Sequence, residues 1–497
     1  MPPDTRNLVS SYTKQDKKGG TPNEYHSAHH LHFLRGEKML VVKVPQQGLL
    51  ETLLPPEVLE LNKELSIVDM ILDDNRFIEP FLVNFKTTTG RPTTSVESYL
   101  RLMYLKYRYQ MGYETLVKEV SDSIKWRRFC HIPLEQKVPH YTTLIKLTHL
   151  YGAETIAELN QLLVQKAAEE KIIRGRKLRV DTTVVPSDIH YPTDASLLSD
   201  GIRVITRTVK QLKKAGAAVR TEFHNRQRSA KRKILSITKV LKRRTGQAYN
   251  EVRKITGQIM STAQGVIAEG NKVLKNTRHY LWRQGDNASA RVKKLTQKLE
   301  KNLSLTEQII QQTTQVQEGD PHIKDRIVSL FDTNARPIRK GKLNNPTEFG
   351  RKVLIQDTEE HVITHYEVCH GNPSDDSLLP GAVDKHIQNV GRVPKAVATD
   401  RGFGSAKNEK ALKDRGVKLC SLPRKGKINA ERKQFQSQPW FRRLQRWRAG
   451  GEAIISLLKR KFGLDLCRFR REDGTETWVG YGILAYNLKQ IATLMAK

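Results

Sequence analysis

The order in which strand signals and helix signals follow one another limits the fold of this chain more than any other feature. A β-rich run, KLRVDTTVV at 177–185, precedes a long stretch with apolar residues at helical spacing, and β-rich runs return at 349–357 and 361–370. The short acidic link between the last two runs predicts a hairpin. Helix patterns at 374–391, 405–414 and 441–462 then alternate with the short strand patterns VPKAVAT and VKLCSL.

This order predicts a mixed sheet with helices packed on it, interrupted once. Without the long stretch at 201–325, the order is strand, strand, strand, helix, strand, helix, strand, helix, which is that of a ribonuclease H-like fold. We therefore predict an α/β ribonuclease H-like domain in two parts, 171–200 and 326–497, with a large α-helical insertion at 201–325. Helical spacing over 51–170 predicts an all-α domain before it, and the polar residues 1–50 predict a basic, flexible arm.

The charge of the chain indicates a polyanionic partner. Its 497 residues include 86 Lys and Arg against 52 Asp and Glu, which gives a formal charge of +34 and a pI near 10.0. Residues 201–300 alone carry 25 basic and 5 acidic residues. Like charges at that density repel unless a polyanion neutralises them, so we predict that the basic insertion lies along DNA rather than presenting only a solvated face.

Other features argue against membrane, secreted and zinc-ribbon proteins. No run of about 18 apolar residues and no apolar leader is found, which predicts a cytoplasmic, nucleoid-associated protein without a membrane partner. The four cysteines are scattered, so neither a disulfide framework nor a zinc ribbon is indicated. The clustered histidines in the arm could bind a metal, but a lightly ordered segment is the preferred interpretation; they are His26, His29, His30 and His32.

Three distant acids stand where metal-dependent phosphodiester chemistry needs them. Such chemistry requires hard oxygen ligands that converge from several chain segments on two metal ions. Asp181 lies in the first strand, and Asp400 ends the strand VPKAVAT before a Gly-rich turn. Glu452 lies on the last of the helices above, four residues after Arg448 and seven before Lys459, so those three side chains share one helix face. Asp357, at the end of the second strand, is a lesser candidate ligand.

Here the sequence resembles the bacterial insertion-sequence DDE transposases. The resemblance covers about 90 to 490 and is carried by VDTTVVPSDIHYPTDASLLSDGIRV, SLFDTNARPIRKGKLNNPTEFGRKV, ATDRGFGSAKNEKALKDRGV and an R-x3-E-x6-K pattern. It implies that Asp181, Asp400 and Glu452 are the catalytic residues and hold two Mg²⁺ ions, with Mn²⁺ able to substitute. Arg448 and Lys459 would bind DNA, and Arg401 would contact either a phosphate or a nearby acid. Family members commonly have Tyr where this chain has Gln445.

The resemblance implies an enzyme that cuts and joins DNA at the terminal inverted repeats of its own insertion sequence. Its partners would be the double-stranded transposon ends and the target, with a homodimer assembled on DNA. The segments at 112–133 and 138–152 fit a helix-turn-helix that would read the ends, although a plain helical core fits them equally well. Two alternatives stay open: a transposase-derived DNA-binding protein that has lost catalysis, and a structure-directed nuclease on the same fold.

Overall fold

The computed structural model describes residues 38–39, 49–83, 91–320, 322–339, 347–470 and 473–497. Most of the predicted N-terminal arm lies outside these residues. The same is true of its four histidines, so their interpretation stays a prediction. None of the helices that the structure describes combines the length and apolarity that crossing a bilayer requires.

The N-terminal region is helical. Two very short strands, β1 (Lys38–Met39) and β2 (Arg91–Pro92), pair in parallel. The helices are α1 (Pro56–Leu59), α2 (Lys63–Leu72), α3 (Glu79–Leu82), α4 (Val96–Arg108), α5 (Tyr113–Asp122), α6 (Ile124–Phe129) and α7 (Tyr141–Glu169). Caps define where helices begin: the Asn62 side chain accepts the Leu65 N–H, and the Ser95 side chain accepts the Ser98 N–H.

The segments that fit a helix-turn-helix correspond to α5, α6 and the first part of α7. Gly152 has a φ of 69°, which only glycine adopts freely, and it bends α7 at that point. Before the bend, Leu144, Leu147 and Tyr151 are buried, whereas Lys146 is exposed. One face of the candidate base-reading helix therefore belongs to the helical core, and its role on DNA stays a prediction.

A sheet follows the N-terminal helices, with its first strand in a central position. Its strands are β3 (Lys177–Pro186), β4 (Arg336–Arg339), β5 (Thr347–Thr358), β6 (Ile363–Val368), β7 (Ala396–Thr399) and β8 (Leu419–Ser421). β3 pairs antiparallel with β5 on one side and parallel with β7 on the other, and β8 extends the sheet beyond β7. Both β4 and β6 pair with β5, and the β5–β6 pairing confirms the predicted hairpin.

Between β3 and β4 the basic stretch forms long helices. They are α8 (Asp194–Lys214), α9 (Gln227–Leu241), α10 (Gly246–Gln284) and α11 (Ala290–Glu318). The first begins before the predicted boundary at 201, because Thr193 and Ser196 form a capping box there. Apolar residues at helical spacing, such as Ile205, Val266 and Leu299, pack into a core of their own. The charged residues therefore line the outer faces.

Helices cover both faces of the sheet. They are α12 (Asp375–Val390), α13 (Ala406–Asp414), α14 (Ala430–Ser437), α15 (Pro439–Ala449), α16 (Gly451–Lys461) and α17 (Gly474–Met495). α12 and α13 pack against the face that carries Val180 and Val397. α15 packs on the other face, where Leu444 meets Ala396 and Ala398. The helical stretch predicted over 441–462 is present but divided, since α15 and α16 meet at Gly450.

The last helix joins the N-terminal helices to the sheet. The Tyr481 hydroxyl is 2.6 Å from that of Tyr99 on α4, and both side chains are fully buried. Six residues further along α17, the Asn487 side chain accepts the Ile363 N–H and donates to the Ile363 carbonyl, at the start of β6. One continuous apolar core consequently includes residues of both regions.

Candidate active site

Asp181 lies near the middle of the central strand. Its Oδ1 accepts the N–H of Thr182 at 2.8 Å, and its Oδ2 accepts a hydrogen bond from Arg448 Nη1 at 3.1 Å. Because β3 is paired on both sides, its backbone is held by two ladders of hydrogen bonds. The carboxylate therefore projects from a rigid support.

Asp400 follows the last residue of β7 and lies beside Asp181. Val180 pairs with Thr399 in the parallel ladder, so Asp181 and Asp400 are the next residues on two adjacent strands. Neighbouring strands run about 4.8 Å apart, and residues in register point to the same face of a sheet. Asp400 also caps the turn Arg401–Phe403, where its Oδ1 accepts the Gly402 N–H at 2.7 Å.

Glu452 reaches the site from the first turn of α16. Arg448, at the end of α15, donates Nη1 to Asp181 and Nη2 to Glu452 Oε1 at 3.2 Å. One guanidinium thus lies between two of the three acids. The Glu452 side chain is 70% exposed and that of Arg448 only 16%, so the acid is the more accessible of the two.

The three carboxylates do not form a tight cluster in this structure. Among the described residues, the one group of acid or histidine side chains whose ligand atoms all lie within 4.8 Å of each other is Asp69, Asp73 and His131. That group belongs to the N-terminal helices, and the fully buried Arg101 occupies it, with Nε 2.6 Å from Asp69 and Nη2 2.5 Å from Asp73. It is an ion-pair network, since a buried cation already satisfies its oxygens.

The other two residues predicted to bind DNA, Arg401 and Lys459, differ in their positions relative to the three acids. Arg401 is exposed directly after Asp400. Lys459 lies on α16, with its Nζ 4.0 Å from Glu348 Oε2 at the start of β5. The helix break at Gly450 means that Arg448 and Lys459 belong to different helices, but the spacing of four residues between Arg448 and Glu452 is kept.

A buried ion pair next to Asp181 was not predicted from the sequence. Arg179 donates to both carboxylate oxygens of Asp357 at 2.6–2.9 Å, and its Nη1 donates to the Trp447 carbonyl at 2.9 Å. Burial, with a further contribution from the charge of Asp181, raises the pKa of Asp357 to about 6 against the lowering effect of Arg179. Asp357, the lesser candidate ligand, is thus engaged in a structural pair. The sequence did offer one signal for this ion pair: Arg179 stands two positions before Asp181 and therefore on the same face of the strand.

Gln445, at the position where the sequence resemblance leads one to expect Tyr, has a structural role. Its Nε2 lies within hydrogen-bonding distance of the Thr399 carbonyl at 3.2 Å and of the Ser421 carbonyl at 2.8 Å. These two carbonyls belong to the ends of β7 and β8. Gln445 therefore fastens α15 to the strand that leads into Asp400.

Two family models match this chain. One, described as a transposase domain (DUF772), matches residues 56–150, and the other, a transposase DDE domain, matches residues 333–488. The chain belongs to the insertion-sequence DDE transposases. The second match includes Asp400 and Glu452, whereas Asp181 precedes it, on the other side of the basic helices.

The chain also resembles an uncharacterized protein, ORF8 in the nfe locus of Rhizobium meliloti. The two are 29% identical over 141 residues, which cover 27% of this chain and 68% of the relative. No solved structure matches the chain at a significant level. The family matches give no support to the alternative of a transposase-derived protein without catalysis.

Membership of the family has consequences for fold and chemistry. A DDE domain implies a ribonuclease H-like fold, DNA as the substrate and, in general, divalent metal ions. The residues present fit such ions, because Asp181, Asp400 and Glu452 supply the hard carboxylate oxygens that Mg²⁺ prefers. The cationic guanidinium between Asp181 and Glu452 shows that this space accommodates positive charge.

Proposed function

We propose that this transposase cuts DNA at the terminal inverted repeats of its own insertion sequence and joins the freed ends to a target. Asp181, Asp400 and Glu452 would be its catalytic residues. The single observation that carries the proposal is the pairing of β3 with β7, which puts Asp181 and Asp400 on adjacent strands while Arg448 links Asp181 to Glu452.

The three acids would hold two Mg²⁺ ions, with Mn²⁺ able to substitute. Bound metal ions would lower the pKa of an attacking water or 3′-hydroxyl and stabilise the leaving 3′-oxygen. The protein's own contribution is to fix the carboxylates: the ladders of β3 hold Asp181, and the turn after β7 holds Asp400. Glu452 is the exposed member and can approach as DNA enters.

Cations at the site would grip the DNA backbone. Arg448 presents a planar fork of donors, suited to two phosphate oxygens, once a substrate competes with the acids for it. Arg401 is exposed beside Asp400, and Lys459 lies further along α16. Phosphate contacts of this kind fix the position of the duplex without reading its sequence.

The rest of the chain would supply DNA binding away from the cut. The helices α5 to α7 would recognise the inverted repeats, and the basic outer faces of α8 to α11 would lie along the duplex. Two ends must meet in one complex, so we propose a homodimer on DNA, formed at the nucleoid. The counts of 25 basic and 5 acidic residues in 201–300 support the second of these contacts.

A cleavage assay tests the proposal. The substrate is a plasmid that carries the DNA flanking the encoding gene, incubated with Mg²⁺ and the full-length protein. The variants are Asp181→Ala, Asp400→Ala and Glu452→Ala, with Asp465→Ala, an exposed acid beyond α16, as the matched control. Each triad variant should cut at least about a hundredfold more slowly while still binding DNA, because each loses a metal ligand and keeps the cations that contact the duplex.

Two outcomes would contradict the proposal. If the triad variants cut as fast as Asp465→Ala, the acids are not catalytic. If the wild-type protein cuts but no joined product forms with a target plasmid, the chain is a nuclease and strand transfer is wrong.

A further inference from the structure

Asp375 lies beside the strand that carries Asp181, on the face opposite to the Asp181 side chain. It is the first residue of α12, and its Oδ1 accepts a hydrogen bond from the Thr182 hydroxyl at 3.2 Å. Thr182 follows Asp181 in β3, and successive side chains of a strand point to opposite faces. Asp375 therefore contacts the strand that carries Asp181 from behind.

The same side chain also touches the turn that carries Asp400. A Cβ atom placed on Gly402 would be 2.6 Å from Asp375 Oδ2 and 2.8 Å from Asp400 Oδ1. The Asp375 and Asp400 oxygens therefore occupy the space that a side chain at position 402 would need, so only glycine fits there. Because the Gly402 N–H is the donor to Asp400 Oδ1, the position of Gly402 determines where that carboxylate lies.

Lys352 makes this approach of two acids tolerable. Its Nζ lies 3.0 Å from Asp375 Oδ1 and donates to the Pro373 carbonyl at 2.6 Å. The side chains of the pair are only 12% and 21% exposed. A lysine on β5 therefore neutralises Asp375 and fixes it against the ends of the strands.

We propose that Asp375, held by Lys352, is a positioning residue that sets the spacing between the Asp181 and Asp400 carboxylates. It acts through Thr182 on one strand and through Gly402 after the other, and it does not itself contact metal or DNA. This role rests on the proposed function of the triad. Supporting residues of this kind commonly change metal affinity by about tenfold to a hundredfold when they are removed.

Binding of Mn²⁺ alone to the full chain, measured by calorimetry, tests this role without an activity readout. Asp375→Ala should bind Mn²⁺ about tenfold to a hundredfold more weakly. The matched control is Asp376→Ala, which removes the same charge from the exposed neighbour on the same helical turn and should leave Mn²⁺ affinity unchanged. Asp375→Asn keeps an oxygen for Thr182 and Lys352 and should lie between the two.

Melting curves separate positioning from general stability. A merely structural role would lower the melting temperature of Asp375→Ala and leave the Mn²⁺ affinity of its folded state at the Asp376→Ala value, which overturns the proposal. If Asp375→Ala does not fold, the variant Thr182→Val tests the proposal instead, because it removes only the hydroxyl that donates to Asp375. Weaker Mn²⁺ binding by Thr182→Val supports the proposal, and unchanged binding refutes it.

The variant Asp181→Ala distinguishes the positioning role of Asp375 from the proposed metal-binding role of the catalytic acids. Loss of Mn²⁺ binding in Asp181→Ala together with wild-type binding in Asp375→Ala overturns only the positioning role. Wild-type Mn²⁺ binding in both variants overturns the metal site as well.

Discussion

Gly404, four residues after Asp400, offers a sharp steric test of the active site. Its φ of −75° suits any residue, so substitution by alanine brings no backbone strain. A Cβ there would lie 2.8 Å from the Pro423 carbonyl carbon and closer still to its oxygen, inside the 3.0 Å that real Cβ atoms respect. Clearing this overlap needs a shift of about 1 Å between two backbone segments. Neither segment has a flexible side chain end that could give way.

We expect Gly404→Ala to cut DNA about a hundredfold more slowly, because a misplacement of about 1 Å at a reacting group costs roughly that factor. A shift of the turn that contains Gly402 and Asp400 would carry the Asp400 carboxylate with it. Single-turnover cleavage with Mg²⁺ measures the effect, and circular dichroism checks that the variant folds.

Gly381→Ala is the matched control. This glycine lies inside α12, and a Cβ there would meet no atom within 4 Å. Alanine should raise stability by about 0.5–1 kcal/mol and leave cleavage unchanged. Cleavage by Gly404→Ala at the rate of Gly381→Ala would refute the argument that the close approach to Pro423 sets the position of Asp400.

Two further predictions concern the N-terminal helices. Asp69→Asn should lower the free energy of unfolding by about 3 kcal/mol, because it leaves the buried Arg101 with one charged partner fewer. The control Asp384→Asn breaks an exposed ion pair and should lower it by less than about 1 kcal/mol. Equal losses for the two variants in urea unfolding would contradict this prediction. Lys106 is buried, and burial lowers its pKa to about 7, so the unfolded chain alone holds that proton between pH 7 and 10.5 and the contribution of Lys106 to stability should rise over this range. Lys106→Met should therefore be more stable than wild type at pH 7 by at least about 1 kcal/mol, even though it loses the contacts of the ammonium with aromatic rings 4.2–4.7 Å away. This difference in stability should shrink at pH 9.5. An equal difference at both pH values would show that burying the charged lysine does not destabilise the fold.

Patterns with a fixed period predicted the sheet and its acids. The alternation of β-branched residues around Asp181 and the apolar run before Asp400 predicted two strands, and the order of elements placed those strands in one sheet. The parallel register that puts the two acids side by side was not predicted, because the period of a strand fixes which face each residue occupies but not its alignment with the neighbouring strand.

Contacts between distant segments could not be predicted in this way. The pairing of Arg179 with Asp357 joins residues far apart in sequence, and nothing local marks either as the partner of the other. The break at Gly450, by contrast, had a local signal in the pair Gly450-Gly451, while the distant contact explains only why the second of them is glycine: a Cβ on Gly451 would lie 3.1 Å from Arg179 Cδ. Asp375 is comparable to the pair of Arg179 and Asp357, since its importance comes from a neighbour in space, Gly402.

The position of α17 has a consequence for how the molecule is made. Tyr481 and Asn487 complete the packing of the N-terminal helices and of β6, yet the ribosome synthesises them hundreds of residues after Tyr99. Until that helix emerges, the growing polypeptide carries early helices whose apolar side is uncovered, a state prone to aggregation or chaperone capture. The N-terminal helices therefore reach their full packing only after α17 has been synthesised.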